Sequence, residues 1–344
     1  MSQSTLQLDY LSSDDIALQP ASWWNSVLGI VGFERAPQIE LAQVPVAASM
    51  TPRLGAADLC EVWRSAGGEG RTLSDASLRH GRIHYRHCGE FLFGSMAIDE
   101  DPTQGSASAA LLQATTTAYR EIFAVLEETQ HRHLIRVWNY LPEINREADG
   151  DERYRHFNTA RQTAFRDWGR STVGAVPAAC ALGSPAGSPI CIYFLAARSP
   201  PRMIENPRQT SAYHYPPKFG IHSPVFSRAC LLHESAGTSL FVSGTASIVG
   251  HETIHHGDAA AQTRETLVNI GALVEEANRV TGRARYSLDG LKLKVYVRNA
   301  ADLAAVELAI AGTGCPRASV VYLQADVCRE DLLVEIEATG VAAC

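Results

Sequence analysis

The strongest constraint on this chain is that it writes one fold unit twice. Phe91-Leu92-Phe93-Gly94-Ser95-Met96-Ala97-Ile98 leads into a helical run that holds Gln113 and ends Val125-Leu126-Glu127-Glu128, followed by the strand-like Leu134-Ile135-Arg136-Val137-Trp138. About 150 residues later the order returns as Leu240-Phe241-Val242-Ser243-Gly244-Thr245-Ala246-Ser247-Ile248, a helix with Gln262 ending Leu273-Val274-Glu275-Glu276, and Leu293-Lys294-Val295-Tyr296-Val297. That spacing is far too long for a solenoid, so duplication of a whole domain fits. Each copy reads as two strands, a helix, a strand, a short helix and two final strands, an α+β arrangement with a mixed sheet and helices packed on one face.

A chain of 344 residues with 46% hydrophobic and 19% charged residues has room for two such domains. The stretch Ala196-Ala197-Arg198-Ser199-Pro200-Pro201-Arg202 cannot continue a central strand, because proline has no N–H for the ladder. It sets the expected boundary: residues 1–199 as the first domain with a lead-in segment, and 200–344 as the second. Residues up to about 45 give mixed signals and are expected to pack on the first domain.

Alternation from Arg82 through Ile98 predicts a hairpin broken at Cys88-Gly89. In the helix after it, Leu112, Thr116, Tyr119, Phe123 and Leu126 recur at three- and four-residue steps and form the expected buried stripe. The second helix begins behind Asp258, a good N-cap, carries Leu267, Ile270, Val274 and Ala277, and stops at Thr281-Gly282. Between the two halves of the first copy lies the polar run Glu152 to Arg170, read as a solvated helix, with a lid or ligand-facing helix as the alternative.

A net charge of −7 excludes nonspecific nucleic-acid binding, which needs a basic face. No run of eighteen apolar residues occurs, and MSQSTLQLDYLSSDD has neither the basic region nor the apolar core of a signal peptide, so a cytoplasmic protein is expected without a membrane partner. The eight cysteines (60, 88, 180, 191, 230, 315, 328, 344) contain no CxxC pair and are expected to be reduced.

His251-Glu252-Thr253-Ile254-His255 matches the HExxH pattern, with Glu275 downstream. HExxH works by placing both histidines on one helical face, yet Gly250 and Gly257 leave barely one turn here. With a helix running unbroken from Asp258, Glu275 would sit about 25 Å along its axis at about 1.5 Å per residue, too far to share the metal. No metal site is expected.

Three other clusters carry chemistry. In Leu332-Leu333-Val334-Glu335-Ile336-Glu337, alternation sends Val334 and Ile336 to one face and both glutamates to the other. Arg317 stands at the mouth of the preceding strand, and the matching part of the first copy, Val176-Pro177-Ala178-Ala179 with Ile190-Cys191-Ile192-Tyr193, has neither charge. The plain alternatives are an exposed strand carboxylate and a surface arginine. The third cluster runs Glu205-Asn206-Pro207-Arg208-Gln209-Thr210-Ser211-Ala212-Tyr213-His214-Tyr215-Pro216, then Phe226-Ser227-Arg228. Arginines among tyrosines and prolines suit bidentate binding of carboxylates, although a linker with surface tyrosines would read the same way.

Glu205 to Pro216, Phe226-Ser227-Arg228, Ser243-Gly244-Thr245-Ala246 and Leu333-Val334-Glu335-Ile336-Glu337 together resemble the bacterial chorismatases, whose C-terminal half is similar to the RidA/YjgF fold. Within that family the chain is most similar to the hydroxybenzoate-forming synthases of xanthomonadin pigment biosynthesis. The resemblance implies two RidA/YjgF-like domains and cleavage of chorismate to pyruvate plus 3-hydroxybenzoate and/or 4-hydroxybenzoate, or a dihydroxylated cyclohexadiene acid. No metal or organic cofactor is implied. Glu335 is the implied acid, and Cys328 stands where benzoate-forming members carry cysteine and hydrolytic members alanine. The expected substrate contacts are Arg208, Tyr213, Tyr215, Arg228, Gly244, Thr245, Ala246 and Arg317.

The chemistry fits that expectation, because breaking an enol ether requires protonating its vinylic methylene, which a carboxyl of raised pKa can do. Cys328 then shapes the ring pocket or relays a proton, or is a small buried thiol. A RidA-like enamine/imine deaminase and a non-enzymatic small-acid sensor remain alternatives, as do monomer and homotrimer.

Overall fold

The computed structural model describes residues 5–37, 44–55, 58–66, 78–234 and 237–343. In the lead-in, β1 (Thr5–Ser12) is followed by two short helices, α1 (Ser13–Ala17) and α2 (Ala21–Trp24), then by β2 (Val27–Gly32), β3 (Val46–Ala48), β4 (Arg53–Leu54) and β5 (Leu59–Ala66). The first unit comprises β6 (Leu78–His80), β7 (Ile83–Cys88), β8 (Phe91–Ile98), α3 (Ala107–Thr129), β9 (His133–Pro142), the small hairpin β10 (Glu147–Ala148) and β11 (Asp151–Glu152), α4 (Arg153–Asp167), β12 (Ala178–Ser184) and β13 (Ile190–Ala197). The second comprises β14 (Arg202–Ile204), β15 (Ala229–Glu234), β16 (Gly237–Ala246), the hairpin β17 (Ile248–Val249) and β18 (Glu252–Thr253), α5 (Ala259–Thr281), β19 (Lys292–Val297), α6 (Leu303–Ala311), β20 (Val320–Gln324) and β21 (Val334–Ala343).

The two sheets have one topology. The first runs β12-β9-β13-β8-β7-β6 and the second β14-β15-β16-β21-β19-β20-β4, so β12, β9, β13, β8 and β7 correspond in turn to β20, β19, β21, β16 and β15. In both, the only parallel pair among the described residues is the one between the strand after the long helix and the strand after the short one. The α+β duplication expected from the sequence is therefore present, and Pro200-Pro201 falls between the two sheets.

The hairpin turns at Gly89, and α5 is capped by Asp258, whose side chain accepts from the Ala261 N–H, and closed by Gly282 in the left-handed region. Leu267, Ile270, Val274 and Ala277 are all buried. On α3 the stripe sits slightly rotated from the one expected. Tyr119, Phe123 and Leu126 are buried, but Leu111 and Thr115 face the core while Leu112 and Thr116 lie at its margin. Small residues at Ala110, Ala114 and Ala118 continue the buried face, which apolar size alone does not mark.

Two expectations need correction. The lead-in forms its own sheet, in the order β1-β5-β2-β3, and does not pack on the first unit alone. Its Leu6, Leu8, Val31 and Trp63 share one buried cluster with Phe93, Trp138 and Tyr193 of the first unit and Phe241, Tyr296 and Leu323 of the second, and β4 pairs with β20. Nor is the Glu152 to Arg170 segment a solvated helix: Tyr154, Phe157, Arg161 and Phe165 of α4 are buried against α3 and the first sheet. Apolar positions are few in this helix, but Arg153 and Arg161 are buried whole, Arg153 against Glu100 and the Pro142 carbonyl.

Each unit's helices cover the outer face of its sheet. The three inner faces enclose a central core, and at its heart lies a charge cluster: Lys294 of β19 bonds Glu61 of β5 and, at 2.9 Å, Glu337 of β21, while Arg136 of β9 bonds Glu337 from the other side. Trp138 Nε1 donates to Glu337 at 2.7 Å and Lys294 Nζ to the Tyr193 hydroxyl at 2.7 Å. Burial alone would push the Glu337 carboxyl up, but Lys294 and Arg136 outweigh it and hold the carboxyl below its ordinary value. No helix among the described residues is long and apolar enough to cross a membrane.

Removing one member of such a cluster strands the others as buried charges. Lys294→Ala is expected to destabilise the fold by about 3–5 kcal/mol, measured by denaturant unfolding. A loss under about 1 kcal/mol would mean that the cluster does not hold the sheets together.

Candidate active site

A cavity of about 550 Å³ opens between the two units. The second unit supplies Gly244 and Ala246 from β16, Cys328 and Arg329 from the loop after β20, and Glu335 from β21. The first supplies Tyr154 and Arg155 at the start of α4, and the irregular segment before β15 supplies Tyr215, Phe219, Phe226 and Arg228.

Strand alternation positions the acid. Val334 and Ile336 pack under α5 and α6, which turns Glu335 and Glu337 inward, as expected from the sequence. Opposite them β16 carries a bulge, its register slipping between Val242 and Thr245, so that Ser243 and Gly244 together face Glu337. A bulge re-aims the strand locally, and here it brings the Gly244 backbone against the Glu335 carboxyl. Any Cβ at position 244 would stand 1.9 Å from Glu335 Oε1 and 3.0 Å from the Cys180 Cβ. Only glycine leaves room for the acid.

Glu335 is 4% exposed, and among the described residues no donor reaches its carboxyl within hydrogen-bond range. Burial pushes its pKa up to about 8, Glu337 adds to the rise, and Arg136 and Arg228 offset part of it. That shift favours the protonated carboxyl at neutral pH. Cys328, partly buried beside it, is pushed up to about 12 by burial and by Glu335, so it is present as the thiol.

Two guanidinium groups face the acid's cavity. Arg228 donates through Nη2 to the Thr210 carbonyl and the Tyr215 hydroxyl, both at 2.7 Å, and its Nε is buried without a partner. Arg329 donates through Nη1 to the His251 carbonyl at 2.9 Å, lies 3.9 Å from the Phe219 ring centre, and leaves Nη2 buried and unpartnered. Arg298 holds the loop bearing Arg329 and Cys328 by donating to the carbonyls of Val327, Arg329 and Leu332, and Gln262 of α5 bonds both Asp331 O and Leu333 N.

Not every residue singled out in the sequence arrives here. Tyr215, Arg228, Gly244, Ala246, Cys328 and Glu335 converge on the cavity. Arg208 does not, because its two arms are tied to Asn269 and Glu265 of α5 at 2.7 and 2.6 Å. Tyr213 packs on the first unit's core, and Thr245 is buried with its hydroxyl donating to Ser243 O. Arg317 is exposed and borders a separate cavity with Arg53, Ile310 and Tyr322, since its position at the mouth of β20 faces the end of the strand remote from Cys328. The HExxH segment spans the turn before β18, β18 itself and the two residues after it, with His255 at φ 62°, so the two histidines do not share a helical face. Tyr154 was anticipated only within the Glu152 to Arg170 run, through its ligand-facing alternative, and Arg329 was missed. The first lies in the other unit, and the second was legible only as part of the charged run Arg329-Glu330-Asp331 behind Cys328.

The cavity thus gathers a buried carboxyl of raised pKa, two guanidinium groups with unpartnered nitrogens and a phenol, groups that together can supply a proton to a small anion. The family description "Chorismatase FkbO/Hyg5-like, N-terminal" matches residues 61–196. The chain is 37% identical over 334 residues, 91% of each protein, to a 3-hydroxybenzoate synthase of Streptomyces hygroscopicus. It is also 40% identical over 260 residues to a chorismatase of the same organism, covering 74% of this chain and 73% of that one. A chorismatase crystal structure superposes with a TM-score of 0.85 at 31% identity, covering 99% of both chains. The chain belongs to the chorismatase family.

Gly244→Ala is expected to leave the fold intact by circular dichroism while displacing the Glu335 carboxyl, and so to reduce turnover by about 100-fold. Wild-type turnover in the alanine variant would show that the close approach of β16 to the acid is not needed.

Proposed function

We propose that this protein cleaves chorismate to pyruvate and a hydroxybenzoate, with 3-hydroxybenzoate as the principal product. The carrying observation is Glu335, buried, raised to about 8 and free of competing hydrogen bonds. Membership of the family and the relative described as a 3-hydroxybenzoate synthase support the substrate and product. A 4-hydroxybenzoate fraction is the minor branch.

Chorismate is an enol ether carrying two carboxylates. Glu335 delivers its proton to the vinylic methylene, leaving an oxocarbenium centre at the carbon that bears the ether oxygen. Capture of that centre by the neighbouring ring hydroxyl, within the same molecule, starts the route to the aromatic acid and gains from high effective molarity. Capture by water would lead instead to a dihydroxylated cyclohexadiene acid. Cleavage to pyruvate and hydroxybenzoate needs no net water, since the atoms of the two products sum to those of chorismate. With its proton held to about 12, the Cys328 thiol lines the ring pocket as a neutral group that excludes water or passes a proton.

Arg228 and Arg329, each with a buried N–H to spare, are assigned to the two carboxylates, and Tyr215 stacks between them. Two such clamps favour a dicarboxylate over the imine of a simple amino acid, which would need one. Arg208 and Arg317 have no part in this assignment. No step requires a metal or organic cofactor. We divide the chain at residues 199 and 200, place it in the cytoplasm, and take it as a monomer because three sheets of one chain already close the central core.

Because the reaction uses the protonated form of Glu335, kcat/KM is expected to be flat at neutral pH and to fall tenfold per unit above pH about 8. Glu335→Gln is expected to abolish turnover, a loss of about 1000-fold or more. Chromatography of the products from chorismate reads both; substantial activity in the glutamine variant would end the assignment of the acid.

A further inference from the structure

The loop that carries Cys328 and Arg329 runs from residue 325 to 333, between β20 and β21, without a ladder of its own. Partly buried backbone of this kind must find its hydrogen bonds elsewhere. One side chain supplies several of them: Arg298, immediately after β19. Its Nη2 donates to the carbonyls of Val327 at 3.1 Å and Arg329 at 3.0 Å, the two residues that flank Cys328. Its Nε donates to the Leu332 carbonyl at 2.9 Å, and its Nη1 to Asp326 Oδ1 at 2.6 Å.

The same guanidinium reaches the other unit. Asn145, in the turn between β9 and β10, accepts from Nη1 and from Nη2 at 3.2 Å each and donates through Nδ2 to Glu152 Oε1 at 2.8 Å. A second tie fixes the start of the loop, where the Gly183 N–H of β12 donates to the Asp326 carbonyl at 2.7 Å. The approach is close: a Cβ at position 183 would stand 2.6 Å from the Asp326 Cβ. Every nitrogen of Arg298 is therefore engaged, whereas Arg228 and Arg329 each keep a buried nitrogen without a partner. Arg298 has no donor left for a ligand; it holds the groups that do.

We propose that Arg298 is a positioning residue that sets the product ratio: by gripping the carbonyls on both sides of Cys328, it keeps that thiol and the Arg329 guanidinium seated against the cavity and closes that wall to water. This rests on the chorismate reading above and deepens it. Formation of a hydroxybenzoate takes up no water, whereas the dihydroxylated cyclohexadiene acid takes up one, so the ratio of the two products reports the access of water to the oxocarbenium centre. A lysine cannot replace the fork, because three donors on one nitrogen do not span three carbonyls and two side chains.

Arg298→Lys keeps the charge opposite Asp326 and loses the fork. It is expected to fold as wild type by circular dichroism, to raise the ratio of dihydroxylated acid to hydroxybenzoate about tenfold, and to lower kcat/KM about tenfold, with both products separated by chromatography. Asn145→Ala, which frees the guanidinium from the first unit but leaves the carbonyls held, is expected to shift the ratio about threefold in the same direction. A folded, active Arg298→Lys with a lowered Tm and an unchanged product ratio would assign the residue to the scaffold and overturn the proposal. Should the lysine variant not fold or not turn over, an unchanged ratio in Asn145→Ala would overturn it equally. If the wild-type protein does not turn over chorismate, the functional reading fails; an unchanged ratio in the active variants removes this inference alone.

Discussion

The site is built around one buried carboxyl, Glu335, whose proton is retained first by burial and then by the charge of its neighbour Glu337. Glu337 is kept ionised at the centre of the molecule by Lys294 and Arg136, and it sits two residues along the strand from Glu335, on the same face. Two buried carboxyls so placed cannot both ionise cheaply, and the one with two cations keeps the charge. The other, buried without an ion-pair partner among the described residues, keeps its proton. Because Lys294 is also bonded to Glu61 of the lead-in sheet and Arg136 belongs to the first unit, the ion cluster around Glu337 ties all three sheets together.

Duplication explains how the chain affords both a scaffold and a site. Both units carry the same strand order, but the cavity lies where they meet, so neither holds the site alone. The second unit brings the acid and the loop of Cys328 and Arg329. The first brings α4, whose buried face carries Tyr154 and Arg161. The two are joined by a short parallel bridge, Ala178 to Ser227, reinforced by the Ala179 N–H donating to Ser243 Oγ at 2.9 Å, immediately beside the bulge that makes room for Glu335. Sheet contact and the position of Glu335 are thus set by the same few residues.

What the sequence conveyed follows from the range over which each signal acts. Strand alternation is local, so the inward aim of Glu335 and Glu337 was legible, as were the caps Asp258 and Gly282 and the failure of His251 and His255 to share a helix. Arginine assignments were not local. Arg208 looked free until Glu265 and Asn269, 57 and 61 residues on, took both its arms, and Arg317 looked near Glu335 because the intervening strand hides which end it occupies. Tyr154 and Arg329 could be found only once the two units were brought together. The lead-in was opaque for a similar reason: its strands are completed by pairing and packing against both units, and β4 has only two residues.

The central claim is that the Glu335 carboxyl is protonated at neutral pH in the substrate-free protein, and the most direct measurement is its titration by difference infrared spectroscopy of wild type against Glu335→Gln. The account predicts a protonated carboxyl band, absent from the variant, that persists at pH 7 and disappears near pH 8. A band already lost by pH about 5, the ordinary glutamate range, would contradict it.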